Sequence, residues 1–361
     1  MRVSIAMATY NGQRFLAEQL ASLARQTRQP YELIVTDDNS TDATADIVAR
    51  FATTAPFPVK FHRNSTQLGF AENFMLAMRG CSGDAIAFCD QDDVWHKEKL
   101  ARCVAELKAT NIGLVFHQYQ DTDAVLRPIG RLSPRSSTSI VFERLRADKN
   151  LVWVAGCTMV VRHRVVEEVF RCWPKEHAEM AQGGGCNILA HDCATFYVAN
   201  GMGEISYVAE PLVWHRIHEN NTCTVNPSFR HSVIRALKMS GVEYRRRSYL
   251  LHAQGEMYER MAESAKDEIA KSLLELARKL HNLANINRSR SRLYGLPSVT
   301  QRIDAYVELV RTGAYSNLDG RPGNKALLID LAFSALPLKR QCRSRTGFNC
   351  RSQEAESFPE E

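Results

Sequence analysis

Short apolar runs recur through the first 120 residues, and each stops abruptly at polar ones. Residues 3–8 and 85–88 are such runs and predict buried strands, and 31–36, 59–62 and 112–116 are expected to be further strands. Between them the apolar residues fall at helical spacing instead. Phe15, Leu16, Leu20 and Leu23 form the first such stretch, and helices are expected near 43–51, 71–78 and 97–108. Alternating strands and helices predict a mostly parallel α/β sheet with right-handed crossovers. Ligands of such sheets gather at the carboxyl ends of the strands. Three runs end there in Thr9-Tyr10-Asn11-Gly12, Asp37-Asp38-Asn39 and Asp90-Gln91-Asp92-Asp93, so one rim should carry three polar loops around a nucleotide-sized site.

The pattern loosens afterwards. Residues 127–150 read as irregular, 151–161 as a returning buried strand, and Gly183-Gly184-Gly185 as a flexible loop. A helix is expected over 191–199, then short strands over 205–209 and 212–213. Beyond about 226 only helices are expected. These are a long amphipathic one over 256–281, one opened by the capping box Ser298-x-x-Gln301 with Ile303, Tyr306, Val307 and Val310 along one side, and the apolar stretch 326–338. The expected organisation is an α/β domain over 1–225, an all-α extension over 226–345, and a disordered tail over 346–361.

The acidic loop carries the sharpest chemistry. Asp90, Asp92 and Asp93 repel one another unless a cation sits among them, and Mg²⁺ or Mn²⁺ is the usual solution. A solvated acidic turn is the plainer alternative, but the flanking Phe88 and Trp95 argue for a partly enclosed site. Neither a Gly-x-Gly-x-x-Gly nor a Gly-x-x-x-x-Gly-Lys motif occurs, so dinucleotide and P-loop binding find no support. The ten cysteines include no Cys-x-x-Cys pair, which argues against a zinc site or disulfide framework and fits a reducing cytoplasm. The start of the chain is too soon polar for a signal peptide, and no apolar run is long enough to span a membrane. Net charge is −2 over residues 1–225 (23 basic, 25 acidic) and +8 over 226–361 (23 basic, 15 acidic). The basic part therefore calls for an anionic partner or a solvated face.

Taken in order, the motifs resemble family 2 glycosyltransferases of the GT-A fold, in the branch often labelled rhamnosyltransferase-like. Thr9-Tyr10-Asn11-Gly12, Asp37 to Asp42, and Asn64-x4-Gly69-x3-Asn73 match the nucleotide-binding half; Asp90-Gln91-Asp92-Asp93-Val94-Trp95 matches the metal motif. Gly156-Cys157-Thr158-Met159, His191-Asp192 and Arg216-x-His218-x-x-Asn221 match the acceptor half, so the resemblance covers about residues 1–222. It implies an inverting transfer from a nucleoside-diphosphate sugar, dTDP-rhamnose or a UDP-sugar, to a polysaccharide or lipid-linked glycan.

Thr9, Tyr10, Asn11, Asp38, Asn64, Asn73 and Asp90 would then meet the donor nucleotide. Asp92, Asp93 and His218 would hold Mg²⁺ or Mn²⁺. Asp192 would be the base, and Trp95, Gly156, Cys157, His191 and Arg216 would line the acceptor or sugar pocket. Plainer readings stand beside these: Asp38 and Asp192 as helix caps, His218 as a structural histidine, and Gly156-Cys157 as tight packing. Two rival functions are a sugar-1-phosphate nucleotidyltransferase, which usually opens on a glycine-rich loop not found here, and a non-catalytic glycan-binding protein. No nucleic-acid partner is expected. A cytoplasmic protein is, with the basic part against the inner face of the cell membrane as the alternative to a solvated face.

Overall fold

A computed structural model of the chain describes residues 1–130, 132–133, 137–143, 154–173, 190–219, 221, 241–316 and 323–335. The expected triple-glycine loop, the 225/226 boundary and the tail lie outside these residues. One sheet organises the rest. Its strands are β1 (Val3–Thr9), β2 (Glu32–Asp37), β3 (Val59–Arg63), β4 (Ala85–Cys89), β5 (Val94–Trp95), β6 (Ile112–Thr122), β7 (Ile140–Phe142), β8 (Val160–Arg162) and β9 (Glu204–Arg216). They lie in the order β3-β2-β1-β4-β8-β6-β9-β5, with β7 paired to β9.

The first four strands pair parallel, as the strand–helix alternation predicts. Antiparallel β8 then sits between β4 and β6, and reverses the local direction. Side chains alternate across the sheet as a period of two requires. Ile5, Met7, Leu33 and Val35 enter one core with α1 (Leu16–Ala24) and α4 (Lys99–Glu106). Ala6, Ile34, Ile86 and Phe88 enter the other with α3 (Phe70–Gly80). The helix α2 (Thr44–Ala52) completes the N-terminal half. Register fixes the rim: Thr9 pairs with Asp37 and Met7 with Cys89, so the loops after β1, β2 and β4 emerge together.

Several expectations need correction. Of 151–161, residues 151–153 lie outside the described part, 156–158 form a 3-10 turn, and only β8 is strand. The two short strands expected over 205–213 are one, β9. It carries Pro211 through the sheet at a register shift opposite His117 and Gln118, where a missing N–H is tolerated. The single helix expected over 256–281 is two, α7 (Gly241–Ala262) and α8 (Asp267–Gly295), with Asp267 and Glu268 in the first turn of α8.

These helices complete the second core rather than standing apart from it. Met257, Tyr258, Met261 and Leu273 join one cluster with Val165, Val166 and Val169 of α5 (His163–Cys172) and Val198 and Ala199 of α6 (His191–Met202). Gly201 permits that closeness, because a Cβ there would lie 2.5 Å from Met261 Cε.

Ser298 caps α9 (Val299–Arg311) through the Gln301 N–H at 3.1 Å, as its motif predicts. The apolar stripe of α9 faces outward, however: Ile303, Val307 and Val310 are about two-fifths exposed, while Arg302 and Leu309 are buried. The last described helix, α10 (Gly323–Ala335), is held by buried Asp330. Its carboxylate accepts two bonds from Arg290 (2.6 and 2.9 Å) and one each from Tyr294 and Tyr315 (2.7 Å). Such a saturated ion pair keeps its charges compensated inside the helical cluster.

Candidate active site

The rim after β1 and β2 is built from polar groups that fasten one another. Thr9 Oγ1 donates to Asp37 Oδ1 at 2.8 Å, and Asp37 also accepts from the Ser40 N–H and hydroxyl. The Asn11 side chain accepts from the Thr41 N–H at 2.9 Å. Asp38 receives the N–H groups of Leu68 and Gly69 (2.7 and 2.8 Å) and the Asn64 amide (3.0 Å). Asn73 donates to the carbonyls of Thr36 and Thr9. A pocket edge of fixed shape follows, open at Tyr10, which is 44% exposed.

The acidic loop is locked from two directions. Gln91 brackets Tyr10, accepting from its N–H at 2.9 Å and donating to its carbonyl at 3.0 Å. From β9, the Arg216 N–H donates to Asp93 Oδ1 at 3.0 Å, while its guanidinium donates to the Asp92 and Ala124 carbonyls and to Glu18. The Arg216 guanidinium stacks 4.4 Å over the Phe15 ring, and His218 packs on the same ring. His218 Nε2 lies 2.8 Å from Asp92 Oδ2. His215 is paired to Asp121 below the loop; burial opposes its charge, but Asp93 and Asp121 raise its pKa to about 9.

The same loop passes a test of fit for a divalent cation. Asp93 is fully buried, and beyond the Arg216 N–H its carboxylate meets only the weak Cys157 thiol donor among the described residues. Ligand atoms of Asp90, Asp93 and Cys157 all lie within 4.8 Å of one another. Burial, then the charges of Asp93 and Asp92, pushes the Asp90 carboxyl well above the usual range. Burial, with Asp93 and Asp90, likewise keeps the Cys157 sulfur a thiol. The donors on offer are therefore carboxylate oxygens, the preference of Mg²⁺ and Mn²⁺.

Asp192 stands in the first turn of α6, whose N-cap is Ala190, so it is not the cap. Its Oδ1 accepts from the Cys193 N–H at 2.7 Å, and it is close enough to the acidic loop to add to the repulsion on Asp90. Gly156 makes room for it. A Cβ there would sit 3.2 Å from Asp192 Cβ and from His191 Nε2, and 3.4 Å from Asp192 Oδ2. The turn holding Gly156 is pinned by fully buried Lys99, which donates to the Cys157 carbonyl at 2.5 Å and lies 3.4 Å over the Trp95 ring. One dipeptide, Gly156-Cys157, thus touches both the proposed base and the carboxylate cluster.

The family model for glycosyl transferase family 2 matches residues 4–170. That match takes in a little under half of the chain, from β1 through most of α5. The chain is 28% identical over 226 residues to an uncharacterized glycosyltransferase of Nostoc sp., covering 61% of this chain and 66% of the relative. It is 28% identical over 231 residues to dTDP-rhamnosyl transferase RfbG of Shigella flexneri, covering 62% and 75%. The chain thus spans slightly less than two thirds of the Nostoc relative. Among solved structures, the crystal structure of S. aureus TarS 1-349 aligns with a TM-score of 0.52 at 20% identity, over 90% of this chain and 95% of that one. That likeness shows the GT-A fold.

Within this site, several residues expected at the ligand surface are bonded into the fold. Thr9, Asn64 and Asn73 are buried and bonded to each other's loops, and Asp38 clamps the 64–69 segment instead of capping α2. Trp95 is 2% exposed in the core beneath Lys99. The Arg216 guanidinium is bonded to the Asp92 and Ala124 carbonyls and to Glu18. Cys157 belongs beside Asp93. His191 is stacked at 3.9 Å on Phe74, where burial lowers its pKa to about 4 and keeps it neutral. Phe15, Glu18 and Lys99 shape the site without any sequence motif announcing them, Phe15 read only as part of a helical stripe, and Gln91 lay inside the acidic motif with no role assigned to it.

Proposed function

We propose that this glycosyltransferase moves a sugar, with inversion, from a nucleoside-diphosphate donor to a glycan or lipid-linked glycan, and that the transfer depends on a divalent metal. The match to the glycosyl transferase family 2 model favours this reading over a nucleotidyltransferase. Asp92 and Asp93, with His218 steadying Asp92, would hold Mg²⁺ or Mn²⁺, which would supply Lewis-acid neutralisation of the departing diphosphate. The observation that supports this is the buried Asp93 carboxylate crowded against Asp90, with only the weak Cys157 thiol as a side-chain donor to it. Arg216 and Gln91 hold that loop in place, so little reorganisation is needed when charge develops. Asp192 would remove the proton of the acceptor hydroxyl as it attacks the anomeric carbon. Its approach past Gly156 supports that role.

dTDP-rhamnose is the favoured donor, because one relative is named a dTDP-rhamnosyl transferase. A UDP-sugar is second, because TarS has been crystallised with UDP-GlcNAc and another relative is named for UDP-Glc. A thermal-shift screen of dTDP-rhamnose, UDP-Glc and UDP-GlcNAc with Mn²⁺, repeated in EDTA, tests donor and metal together. At a hundredfold excess over Kd, binding adds about 2.7 kcal/mol. An undiminished shift in EDTA removes the metal from the proposal.

No helix among the described residues is long and apolar enough to cross a membrane. Contact of the basic C-terminal part with an anionic membrane is supported by its +8 charge and by the exposure of Leu328 and Leu331 of α10 and of Ile303, Val307 and Val310 of α9. Flotation with anionic vesicles should retain the chain, and equal retention by neutral vesicles at high salt refutes the electrostatic account.

A further inference from the structure

Two histidines on neighbouring helices face each other far from any motif. His252 of α7 and His281 of α8 bring their Nδ1 atoms to 2.9 Å. The outer nitrogen of each lies against a carboxylate: His252 Nε2 is 3.3 Å from Glu256 and His281 Nε2 is 3.1 Å from Glu259. Gly255 is the seat for the second ring, since a Cβ there would lie 2.6 Å from His281 Cε1. The arrangement runs Glu256–His252–His281–Glu259 across the seam of the two longest described helices.

Counting protons exposes an unmet need. Each of the three contacts requires one hydrogen between its two atoms, yet two neutral imidazoles bring only two N–H groups. Whichever tautomers are chosen, one contact sets lone pair against lone pair. One further positive charge completes the row, supplied by either a proton or a cation between the Nδ1 atoms. The carboxylates favour the second. Each draws an Nε2–H toward itself and leaves the Nδ1 lone pair aimed at the gap, the tautomer and orientation seen when histidine binds metal. Their two negative charges also match a divalent ion, although Glu256 has Arg260 3.8 Å away as a competitor.

We propose that His252 and His281 form a binding site for a divalent transition-metal ion of the Zn²⁺ or Cu²⁺ type, clipping α7 to α8. Imidazole nitrogens select such ions over Mg²⁺. Zn–N bonds of about 2.0–2.1 Å in a tetrahedron put the two nitrogens about 3.3 Å apart. The pair must open by about 0.4 Å for that, a small rotation for the 57% exposed His252 side chain. Water would fill the remaining positions.

The test uses the full chain with one equivalent of Cu²⁺, read by electron paramagnetic resonance, and Zn²⁺ titration by calorimetry. A nitrogen-ligated copper signal should be present in the parent, lost in His252→Gln and in His281→Gln, and kept in Asp92→Asn, whose change lies in the acidic loop. Glu259→Gln should weaken Zn²⁺ binding about tenfold while leaving the fold unchanged. Zn²⁺ should raise the Tm of the parent but not of His281→Gln. The proposal is overturned if both His variants keep the copper signal, or if parent and variants bind Zn²⁺ alike. It also fails if neither ion binds and the pair merely titrates, which would assign the third charge to a proton.

Discussion

Arg216→Lys is the most informative single change, because it keeps the charge and removes the geometry. Arg216 is 2% exposed, and its guanidinium serves three acceptors: the Asp92 carbonyl at 2.8 Å, the Ala124 carbonyl at 2.5 Å and Glu18. One lysine ammonium cannot reach all three from a single position. Glu18 is 59% exposed and is rehydrated cheaply, so its loss counts for less than about 1 kcal/mol. Losing one of the two carbonyl bonds costs about 1.5–3 kcal/mol, because the donor is charged. The stacking on Phe15 adds about 1 kcal/mol. The expected sum is about 2.5–5 kcal/mol, read as a lower urea midpoint at unchanged slope. Donor affinity with Mn²⁺ should fall as well, since the Asp92 carbonyl belongs to the acidic loop. Glu18→Gln is the control and should change stability by less than about 1 kcal/mol. Parent-like stability and donor affinity in Arg216→Lys would refute the idea that β9 holds the loop in place.

Asp192→Asn should cut transfer by about 10²–10⁴-fold at an unchanged Tm, because Asn retains an acceptor for the Cys193 N–H; a parental rate in a stable variant removes Asp192 from the mechanism. Gly156→Ala forces Asp192 or His191 to give by a few tenths of an ångström, and should lower kcat about tenfold with KM for the donor little changed. A kcat equal to the parent's would mean the Gly156 contact does not position Asp192. Glu32 gives a pH test. Burial alone would raise its pKa, but bonds from Lys60, Ser82 and Ser4 outweigh it and hold the value at about 2. A folded pKa below the unfolded one stabilises the protein above about pH 4.5, and that contribution is lost as pH falls toward 2. Allowing for solvent around exposed Lys60, it amounts to about 2 kcal/mol. The stability gap between parent and Glu32→Gln should therefore narrow from pH 6 to pH 3, and a constant gap contradicts the account.

The parallel half of the fold was legible because its signals are local. β1, β2 and β4 are runs of mostly apolar residues buried on both faces, and each gives way at its carboxyl end to a polar loop, while the edge strand β3 shows only the alternation of Val59 and Phe61 with polar residues. β8 and β9 were less legible for a physical reason. β9 holds Pro211 and polar Glu210 at a bulge, so its continuity comes from pairing with β6. The break between α7 and α8 was hidden because the apolar spacing continues across it, through Met261 and Ile269. Among site residues, the carboxylates announced themselves by crowding, while their supports did not. Phe15, Glu18 and Lys99 look like ordinary helical positions until β9 and the 156–158 turn arrive beside them.

That difference explains why motif residues and pocket residues are not the same set. Asn64, Asn73 and Asp38 recur in the nucleotide-half motif, yet here they bond chiefly to each other and to backbone. Their side chains set the path of loops that would otherwise be free to move, and the residues between them are left to meet a ligand. The carboxyl end of β9 does the same for the acidic loop, delivering Arg216 to its backbone and His218 to Asp92. A strand from the acceptor half thereby fixes the loop that would bind the donor's diphosphate. Displacement of the end of β9 by an acceptor would be transmitted directly to Asp92 and Asp93. Order of substrate addition is the property this coupling should govern, and product-inhibition kinetics on Arg216→Lys would register it as a loss of that order.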